Sequence, residues 1–370
     1  MIDACERAPA WIRTFAPYVP GKPASELARE LGLDEAGIVK LASNENPLGV
    51  SPKAASAMQA ALADLARYPD ANGFALKSAI AAHHGVDMAA IVLGNGSNDV
   101  LELAARTFLA PGASAVFSRH AFAVYALSVQ AVGATAIEVP ARDFGHDLEA
   151  MASAVRADTR MLFIANPNNP TGTFVTGEAL RALLARVPRD VVVVLDEAYT
   201  EYLRDEDRYD AIAWLQRHEN LVITRTFSKA YGLAGMRVGF ALAHPDVADL
   251  MNRIRQPFNV NTVAQAGAIA CLEDADYVER SRRMNAEGMA QLEAGFARLG
   301  LPVIASRGNF VCVRVGNGAA VFASLLREGV IVRPVGGYAM PEWLRVSVGL
   351  PSENERCLDA LRAVLAPGHR

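Results

Sequence analysis

The sequence has few cysteines, and they lie far apart. Cys5, Cys271, Cys312 and Cys357 are spread over 370 residues, and no C-x-x-C pair occurs. This spacing excludes a zinc ribbon and a thioredoxin-like redox motif. A chain of this length can build a large core without disulfide bonds, so we expect four free thiols in a reducing compartment.

Long apolar runs and blocks of one charge are also absent. The longest stretch without a charged residue, Ala121–Ile137, is shorter than the roughly 20 residues of a membrane-spanning helix. The N-terminus carries Glu6 and Arg7 and lacks the apolar core of a signal peptide. The formal net charge is -4, and no basic block suggests a nucleic-acid partner. We therefore predict a cytoplasmic protein that binds neither membrane nor nucleic acid.

The histidines also lack the spacing of metal ligands. His83 and His84 are adjacent in a helical pattern, and the remaining histidines are scattered singly along the chain. We expect no metal site.

The chain is rich in short apolar runs that alternate with amphipathic stretches. Hydrophobic residues make up 52% of it. Strand-like runs occur at Ile91–Leu93, Ala115–Phe117, Met161–Ala165, Val191–Leu195, Leu221–Arg225 and Val238–Leu242, and helical patterns at Asn98–Leu109 and Phe122–Val132. Several of the runs lack a two-residue alternation, which is typical of strands buried on both faces of a parallel sheet. We predict an α/β domain with a mostly parallel sheet.

The C-terminal hundred residues show a different order of elements. One long helical stretch, Ala264–Leu299, precedes strand-like runs at Phe310–Val315, Val330–Arg333 and Leu344–Val348, with helices near Ala319–Glu328 and at the end. This order predicts a smaller α+β domain. We divide the chain into an N-terminal arm with part of the small domain (residues 1–50), a large α/β domain (51–265) and a small α+β domain (266–370).

Polar or glycine-rich clusters follow the predicted strands, where α/β sheets bind ligands. Gly94–Asn98 precedes a helix and can bind an anion through free amides, although a plain turn capped by Ser97 is an equal alternative. Asn166–Gly172 is a stiff loop with two prolines and three asparagines. Asp196–Tyr199 places a carboxylate after a four-valine run, where it needs a cation or strong donors.

Two further clusters add positive charge. Thr226-Phe227-Ser228-Lys229 combines a lysine with two hydroxyls suited to phosphate, and Arg237 lies between glycines just before a strand. A carbonyl cofactor with a phosphate tail needs a lysine for a Schiff base, an acid against a ring nitrogen and a phosphate cup. These clusters supply all three.

The same residues carry a resemblance to pyridoxal-phosphate-dependent aminotransferases of class I/II, fold type I. It covers essentially the whole chain, and its marks are Lys40–Gly49, Arg67–Asp70, Asn166–Gly172, Asp196–Tyr199, Phe227–Arg237 and Leu344–Gly349. The run Asn44–Gly49 is similar to the histidinol-phosphate aminotransferase subfamily. The resemblance implies an aspartate-aminotransferase-like fold, with a mostly parallel seven-stranded sheet flanked by helices in the large domain and a smaller α+β domain.

The resemblance also implies roles for individual residues. Lys229 would carry pyridoxal 5'-phosphate, Asp196 would pair with its ring nitrogen, and Asn169 and Tyr199 would contact the ring hydroxyl. Phe122 would stack on the ring. The implied phosphate ligands are Ser97, Asn98, Thr226, Ser228 and Arg237, with Tyr68 from a neighbouring subunit of a homodimer. The implied catalytic residues are Lys229, Asp196 and Tyr199, and the implied substrate-binding residues are Tyr18, Asn46, Asn169, Arg333 and Arg345.

The expected reaction is transamination of L-histidinol phosphate with 2-oxoglutarate in histidine biosynthesis. Arg345 would bind the carboxylate of the oxo acid, and Arg333 is a candidate for the substrate phosphate. Phe122 and Phe258 stand where relatives often have tyrosine, which leaves an aromatic-amino-acid aminotransferase as the main alternative. A decarboxylase or lyase using the same cofactor is a further one. A cofactor-sensing regulator is disfavoured because no basic recognition helix is present.

Overall fold

The computed structural model describes residues 4–18 and 20–366. The helices α1 to α14 of this part span Ala4–Arg7, Ala10–Arg13, Ala24–Leu31, Pro52–Ala61, Phe74–His84, Ser97–Phe108, Ala123–Ala131, Leu148–Ser153, Gly177–Arg186, Pro245–Ile254, Thr262–Leu272, Ala275–Arg298, Gly318–Arg327 and Pro351–Leu365. The strands β1 to β13 span Val39–Lys40, Ile91–Gly94, Ser114–Ser118, Thr135–Val139, Thr159–Ala165, Val192–Asp196, Leu221–Thr226, Gly239–Ala243, Val303–Ile304, Phe310–Arg314, Val330–Ile331, Arg333–Pro334 and Trp343–Ser347.

A seven-stranded sheet forms the centre of the molecule. Its strand order is β2-β8-β7-β6-β5-β3-β4. Strand β8 runs antiparallel to both neighbours, β2 and β7, and the other pairings are parallel. The prediction of a mostly parallel sheet of seven strands is therefore confirmed.

Helices cover both faces of this sheet, which explains the continuous apolar runs in the sequence. Leu162 and Ile164 of β5 belong to one core cluster, whereas Met161 and Phe163 belong to a second cluster on the opposite face. Because successive side chains of a strand alternate between faces, a strand buried on both sides must be apolar at every position.

Strand β4 lies at one edge of the sheet and was not among the predicted runs. Most of its positions, Thr135 to Val139, are exposed or half-buried. An edge strand needs fewer apolar residues, and so its sequence lacks the continuous run that marks the central strands.

The smaller unit is an α+β layer built from both ends of the chain. A four-stranded antiparallel sheet, β12-β13-β10-β9, packs with α12, α13 and α14. Strand β1 pairs in parallel with β11, and Leu41 joins the same apolar cluster as Phe296 and Val346. The division after residues 50 and 265 stays a prediction, and residues 1–3, 19 and 367–370 lie outside the described part.

The prediction of one long helical stretch over Ala264–Leu299 is wrong in one respect. This range contains two helices, α11 and α12, separated at Glu273 and Asp274. Helix α11 packs on α4 and α5 of the large unit, whereas α12 packs on α14 of the small unit. The chain thus turns where it passes between two cores, although no proline or glycine marks the turn.

The predicted strand at Val330–Arg333 is likewise two strands. Val330–Ile331 pairs with β1, and Arg333–Pro334 pairs with β13 in the other sheet. Within the described ranges, none of the helices is both long and apolar enough to span a membrane.

Candidate active site

A cavity lies where the parallel strands of the large sheet end and the smaller unit covers them. Its walls come from residues 18, 21 and 42–44 and from the ends of β2, β5, β6 and β7, with Arg333, Tyr338 and Arg345 from the small unit. The lining residues are Tyr18, Gly21, Ala42, Ser43, Asn44, Ser97, Asn98, Phe122, Ala165, Pro167, Asn169, Asp196, Ala198, Tyr199, Thr226, Ser228, Lys229, Arg237, Arg333, Tyr338 and Arg345.

The reversed strand β8 explains how Arg237 reaches this edge. The strands β2 and β7 flank β8 and end at the cavity, so the antiparallel β8 begins there. Arg237 precedes β8 and adopts a left-handed backbone conformation with φ of 57°. Residues before one strand and after its two neighbours are thereby collected on a single edge.

One end of the cavity is suited to an anion. Helix α6 starts at Ser97 after Gly96, and no side chain caps its first amides. The Arg237 Nη1 atom donates to Ser228 Oγ at 3.2 Å and to the carbonyl of Ala234 at 3.0 Å. Free helix N-terminal amides and a guanidinium together favour a phosphate group.

Gly96 permits this close packing. It has a φ of +86°, and a Cβ atom there would lie 2.3 Å from Arg237 Nη2. A larger residue would displace the guanidinium and strain the turn. The alternative of Ser97 as helix cap is not observed, because Gly96 holds the cap position.

Lys229 extends its amine into the middle of the cavity. Its Nζ atom donates to the carbonyl of Ser43 at 3.0 Å and lies 5.8 Å from the Tyr199 ring centroid. Burial, followed by the positive charge of Arg345, lowers the pKa of Lys229 to about 7. A substantial fraction of this amine is therefore neutral near physiological pH and able to act as a nucleophile or base.

Asp196 is a buried carboxylate held by three donors. Its Oδ2 atom accepts from the Tyr125 hydroxyl at 2.8 Å, and Oδ1 accepts from Thr224 Oγ1 at 3.1 Å and from the Ala198 amide at 3.3 Å. Burial raises the pKa of Asp196, while the donors Tyr125 and Thr224 oppose that rise. The next residue, Glu197, pairs instead with Arg225 at 2.7 Å.

Arg345 and Tyr199 are fixed by residues from distant parts of the chain. The Arg345 Nη1 atom donates to Asn169 Oδ1 at 2.6 Å, and Nη2 donates to the carbonyl of Ala42 at 2.7 Å. The Tyr199 hydroxyl accepts from Asn44 Nδ2 at 2.9 Å. The planar guanidinium is thus held in one orientation at the cavity wall.

The far end of the cavity contains Tyr18, Arg333 and Tyr338. The Arg333 guanidinium lies 5.5 Å from the Tyr18 ring centroid, a cation–π distance. The Tyr338 carbonyl contacts His120 Nδ1 at 2.7 Å, which links the small unit to the segment before Phe122. This end offers a cation and aromatic rings to a ligand.

Two of the predicted site residues lie outside the lining. Asn46 is buried, and its Nδ2 donates to the carbonyl of Ala230 at 2.9 Å and to Ser281 Oγ at 2.8 Å. Tyr68 is 82% exposed and stacks on Phe258 with ring centroids 4.6 Å apart. All the other predicted residues line the one cavity.

The geometry agrees with comparison to known proteins. The family model for class I and II aminotransferases matches residues 36–361. The chain belongs to the class I and II aminotransferase family. This aminotransferase is 61% identical over 362 residues to histidinol-phosphate aminotransferase 2 of Ralstonia nicotianae, with 97% of each chain covered. It is 62% identical over 358 residues to histidinol-phosphate aminotransferase of Methylobacillus flagellatus, again with 97% of each covered.

Solved structures give the same fold. The crystal structure of histidinol-phosphate aminotransferase from Sinorhizobium meliloti in complex with pyridoxal-5'-phosphate has a TM-score of 0.91 and 30% identity, with 99% of each chain covered. Aspartate aminotransferase from Thermus thermophilus with maleate has a TM-score of 0.82 at 21% identity, covering 96% of this chain and 99% of that one. The prediction of an aspartate-aminotransferase-like fold is confirmed.

The side chains of this aminotransferase fit pyridoxal phosphate. One cavity is lined by the Lys229 amine with its lowered pKa, by the buried carboxylate of Asp196 and by the anion-binding end at Ser97 and Arg237. The aromatic ring of Phe122 and the hydroxyl of Tyr199 also line it. This set offers a covalent attachment point, a partner for a ring nitrogen, a stacking surface and phosphate donors.

Sequence reasoning missed three residues that shape the aminotransferase site. Tyr125 binds Asp196 from behind the wall, Asn44 binds Tyr199, and Tyr338 lines the substrate end. Asn44 lies within the run Asn44–Gly49 that carries the resemblance, so this run could have indicated it. Tyr125 and Tyr338 lie in ordinary apolar or loop sequence and carry no local mark.

Proposed function

We propose that this aminotransferase uses pyridoxal phosphate to transfer the amino group of L-histidinol phosphate to 2-oxoglutarate. The products are imidazole acetol phosphate and glutamate, a step in histidine biosynthesis. One observation carries the substrate choice: relatives at about 60% identity over nearly the whole chain are named histidinol-phosphate aminotransferases. The cavity supports it, because besides Arg237 at the anion end it contains two further arginines, Arg333 and Arg345, for anionic substrate groups.

The cofactor is proposed to be held by the residues around Asp196. Lys229 is the covalent attachment point, Asp196 pairs with the ring nitrogen, and Phe122 stacks on the ring. Asn169 and Tyr199 face the ring hydroxyl. The phosphate ligands are Ser97, Asn98, Thr226, Ser228 and Arg237. When bound, pyridoxal phosphate supplies a carbonyl for the amino group and an electron-withdrawing ring.

Lys229 is the proposed base of the reaction. Its pKa of about 7 leaves much of the amine neutral at physiological pH, so it can take a proton from the substrate carbon that bears the amino group. The ionised carboxylate of Asp196 favours a positive charge on the ring nitrogen opposite it. Tyr199, buried with a pKa raised to about 12, stays a protonated hydroxyl throughout.

Arg345 is the proposed anchor for the substrate carboxylate. Its bonds to Asn169 and Ala42 fix the plane of the guanidinium before a ligand enters. Arg333, beside Tyr18, is proposed to bind the phosphate of L-histidinol phosphate. We assign Asn46 to holding the segment around Lys229 rather than to substrate, because its amide already binds Ala230 and Ser281.

The active unit is proposed to be a cytoplasmic homodimer with its sites at the subunit interface. The exposed stacked pair of Tyr68 and Phe258 supports a second copy as partner, as do Leu62, Leu65 and Phe74, which are exposed apolar residues within six positions of Tyr68 in the sequence. Tyr68→Ala and Lys229→Ala, each inactive alone, are mixed unfolded and refolded together. Activity should return, since in a mixed dimer one site combines an intact Lys229 with an intact Tyr68 from the other subunit. No restoration, with mixed dimers present by mass, would contradict shared sites.

A panel of amino donors tests the substrate. Purified protein with pyridoxal phosphate is given histidinol phosphate, phenylalanine, tyrosine or glutamate, and kcat/KM is measured for each. Histidinol phosphate should exceed the aromatic amino acids by roughly 100-fold, because its phosphate can form charge-assisted hydrogen bonds with Arg333 that donors without a phosphate cannot form. If the aromatic amino acids win, the alternative aminotransferase is correct. Release of carbon dioxide would instead indicate a decarboxylase.

A further inference from the structure

Tyr125 lies behind the cavity wall and contacts Asp196, which lines the cavity. It lies on α7 and is fully buried, and its hydroxyl is 2.8 Å from Asp196 Oδ2. This is the shortest of the three hydrogen bonds to that carboxylate, and the only one to Oδ2 among the described residues. The other two donors both serve Oδ1.

Packing fixes the position of the Tyr125 hydroxyl. Its ring stacks on Phe163 of β5, with centroids 4.8 Å apart and an interplanar angle of 11°. Phe122, which lines the cavity, contacts the same ring edge-on at 5.9 Å. A single side chain therefore joins the carboxylate of Asp196 to the aromatic wall at Phe122.

In the hydrogen bond between Tyr125 and Asp196, the phenol is the donor and the carboxylate is the acceptor. Burial raises the pKa of Tyr125 well above its ordinary range, so the phenol stays a donor. A donated hydrogen bond stabilises the ionised carboxylate more than the neutral acid. The neighbouring Glu197 acts in the opposite sense on Asp196, although its charge is compensated by Arg225.

We propose that Tyr125 is a positioning residue for transamination, which holds Asp196 ionised and oriented towards the cofactor ring and aligns it with Phe122. The proposal rests on the proposed use of pyridoxal phosphate. Tyr125 is not among the residues that line the cavity, so its whole effect passes through Asp196 and Phe122.

The test compares Tyr125→Phe with a matched control, Tyr209→Phe. Tyr209 also stacks on an aromatic ring, Trp214, at an interplanar angle of 11°, and its hydroxyl interacts with Asn166 and Glu197 rather than with Asp196. We expect Tyr125→Phe to lower kcat roughly tenfold, as loss of a hydrogen bond to a charged group does. KM for glutamate should change less than about twofold. The control should match wild type.

Two readouts separate positioning from folding. The acid limb of the kcat profile should move to higher pH in Tyr125→Phe, because the carboxylate has lost its donor. The affinity of the apoprotein for pyridoxal phosphate should fall in the same variant, measured by quenching of protein fluorescence. In the Asp196→Asn background, Tyr125→Phe should change that affinity little, since the coupled charge is gone. Equal losses in both backgrounds would overturn the proposal.

A variant that keeps the fold guards against failure of Tyr125→Phe to fold. Site-specific 3-fluorotyrosine at position 125 strengthens the donor and preserves the ring. It should move the acid limb of the kcat profile to lower pH, in the direction opposite to the shift expected for Tyr125→Phe. An acid limb that does not move contradicts the proposal. If wild-type protein itself does not bind pyridoxal phosphate, the proposed function fails instead, and the two failures are distinguishable.

Discussion

The two ends of the cavity are built in different ways. The end that contains Asp196, Ser228 and Lys229 is formed by residues that follow adjacent strands of one sheet. The end that contains Tyr18, Arg333 and Tyr338 is formed by an N-terminal segment, by strand β12 and by the turn that follows β12. The first is part of a rigid edge buried on both faces, and the second exists only when two units pack together.

This difference suggests that the sheet edge serves the reaction itself, whereas the far end of the cavity serves the choice of amino donor. We propose that residues at the sheet edge bind the part of a ligand that every substrate shares, whereas Tyr18, Arg333 and Tyr338 bind the part that varies. We expect substitutions at the sheet edge to affect all amino donors alike. Substitutions at the far end should change the ranking of donors.

The largest effect is expected for Lys229→Ala. Removal of the amine should lower kcat by about 10,000-fold or more with every donor, because the base and the attachment point are lost together. Lys53→Ala is the control, since Lys53 is an exposed lysine paired with Asp274. Steady-state rates with glutamate and with histidinol phosphate check this. If Lys229→Ala kept the rate with one donor near that of the wild type, the sheet edge would not serve all donors alike.

Arg345→Lys should raise KM for 2-oxoglutarate by roughly 100-fold, because an ammonium cannot reproduce the planar pair of bonds that binds a carboxylate. The matched control is Arg314→Lys, an arginine on β10 that pairs with Glu342 at the surface. Initial-rate measurements over a range of oxo-acid concentrations give KM. An unchanged KM would show that the carboxylate is bound elsewhere.

Arg333→Gln should act on one donor only. We expect kcat/KM for histidinol phosphate to fall about tenfold, the value of one charge-assisted hydrogen bond, while that for glutamate stays constant. Arg327→Gln, at the end of α13, serves as the surface control. If both donors lose equally, Arg333 shapes the cavity in general and does not read the phosphate.

The smallest effect concerns the stability of the apoprotein with pH. The unfolded chain keeps the Lys229 proton up to its ordinary pKa of 10.5, whereas the folded chain loses it above about 7. Between these values the unfolded state binds more protons, so folding becomes more favourable as pH rises, and the full penalty applies below 7. Lys229→Met should therefore be more stable than wild type at neutral pH, by a margin that shrinks towards pH 10.

Urea unfolding of the two apoproteins across this pH range measures that margin. Lys53→Met is the control, because an exposed lysine should give a difference from wild type without this trend. A constant margin for Lys229→Met would mean that the amine keeps its ordinary proton affinity in the folded protein. The sheet edge would then lack the desolvation that we infer from its burial.

The sequence predicted the central strands closely, and for a physical reason. Met161 to Ala165 must be apolar throughout because alternate side chains enter two different cores. The edge strand at Thr135–Val139 escaped prediction because half-buried positions tolerate polar residues. The turn at Glu273 and Asp274 escaped because packing on two cores, rather than a helix breaker, ends α11.

By itself, the sequence determined the cofactor end. Polar residues at the ends of neighbouring parallel strands must meet at one edge, and so Asp196 and Lys229 could be grouped from their order alone. Arg237 precedes its strand and reaches the same edge because β8 is antiparallel. Only the tertiary structure decided what surrounds them. The bonds from Asn44 to Tyr199, from Arg345 to Ala42 and from Tyr125 to Asp196 join residues between 71 and 303 positions apart. Contacts at such separations depend on tertiary packing, and no local pattern in the sequence records them.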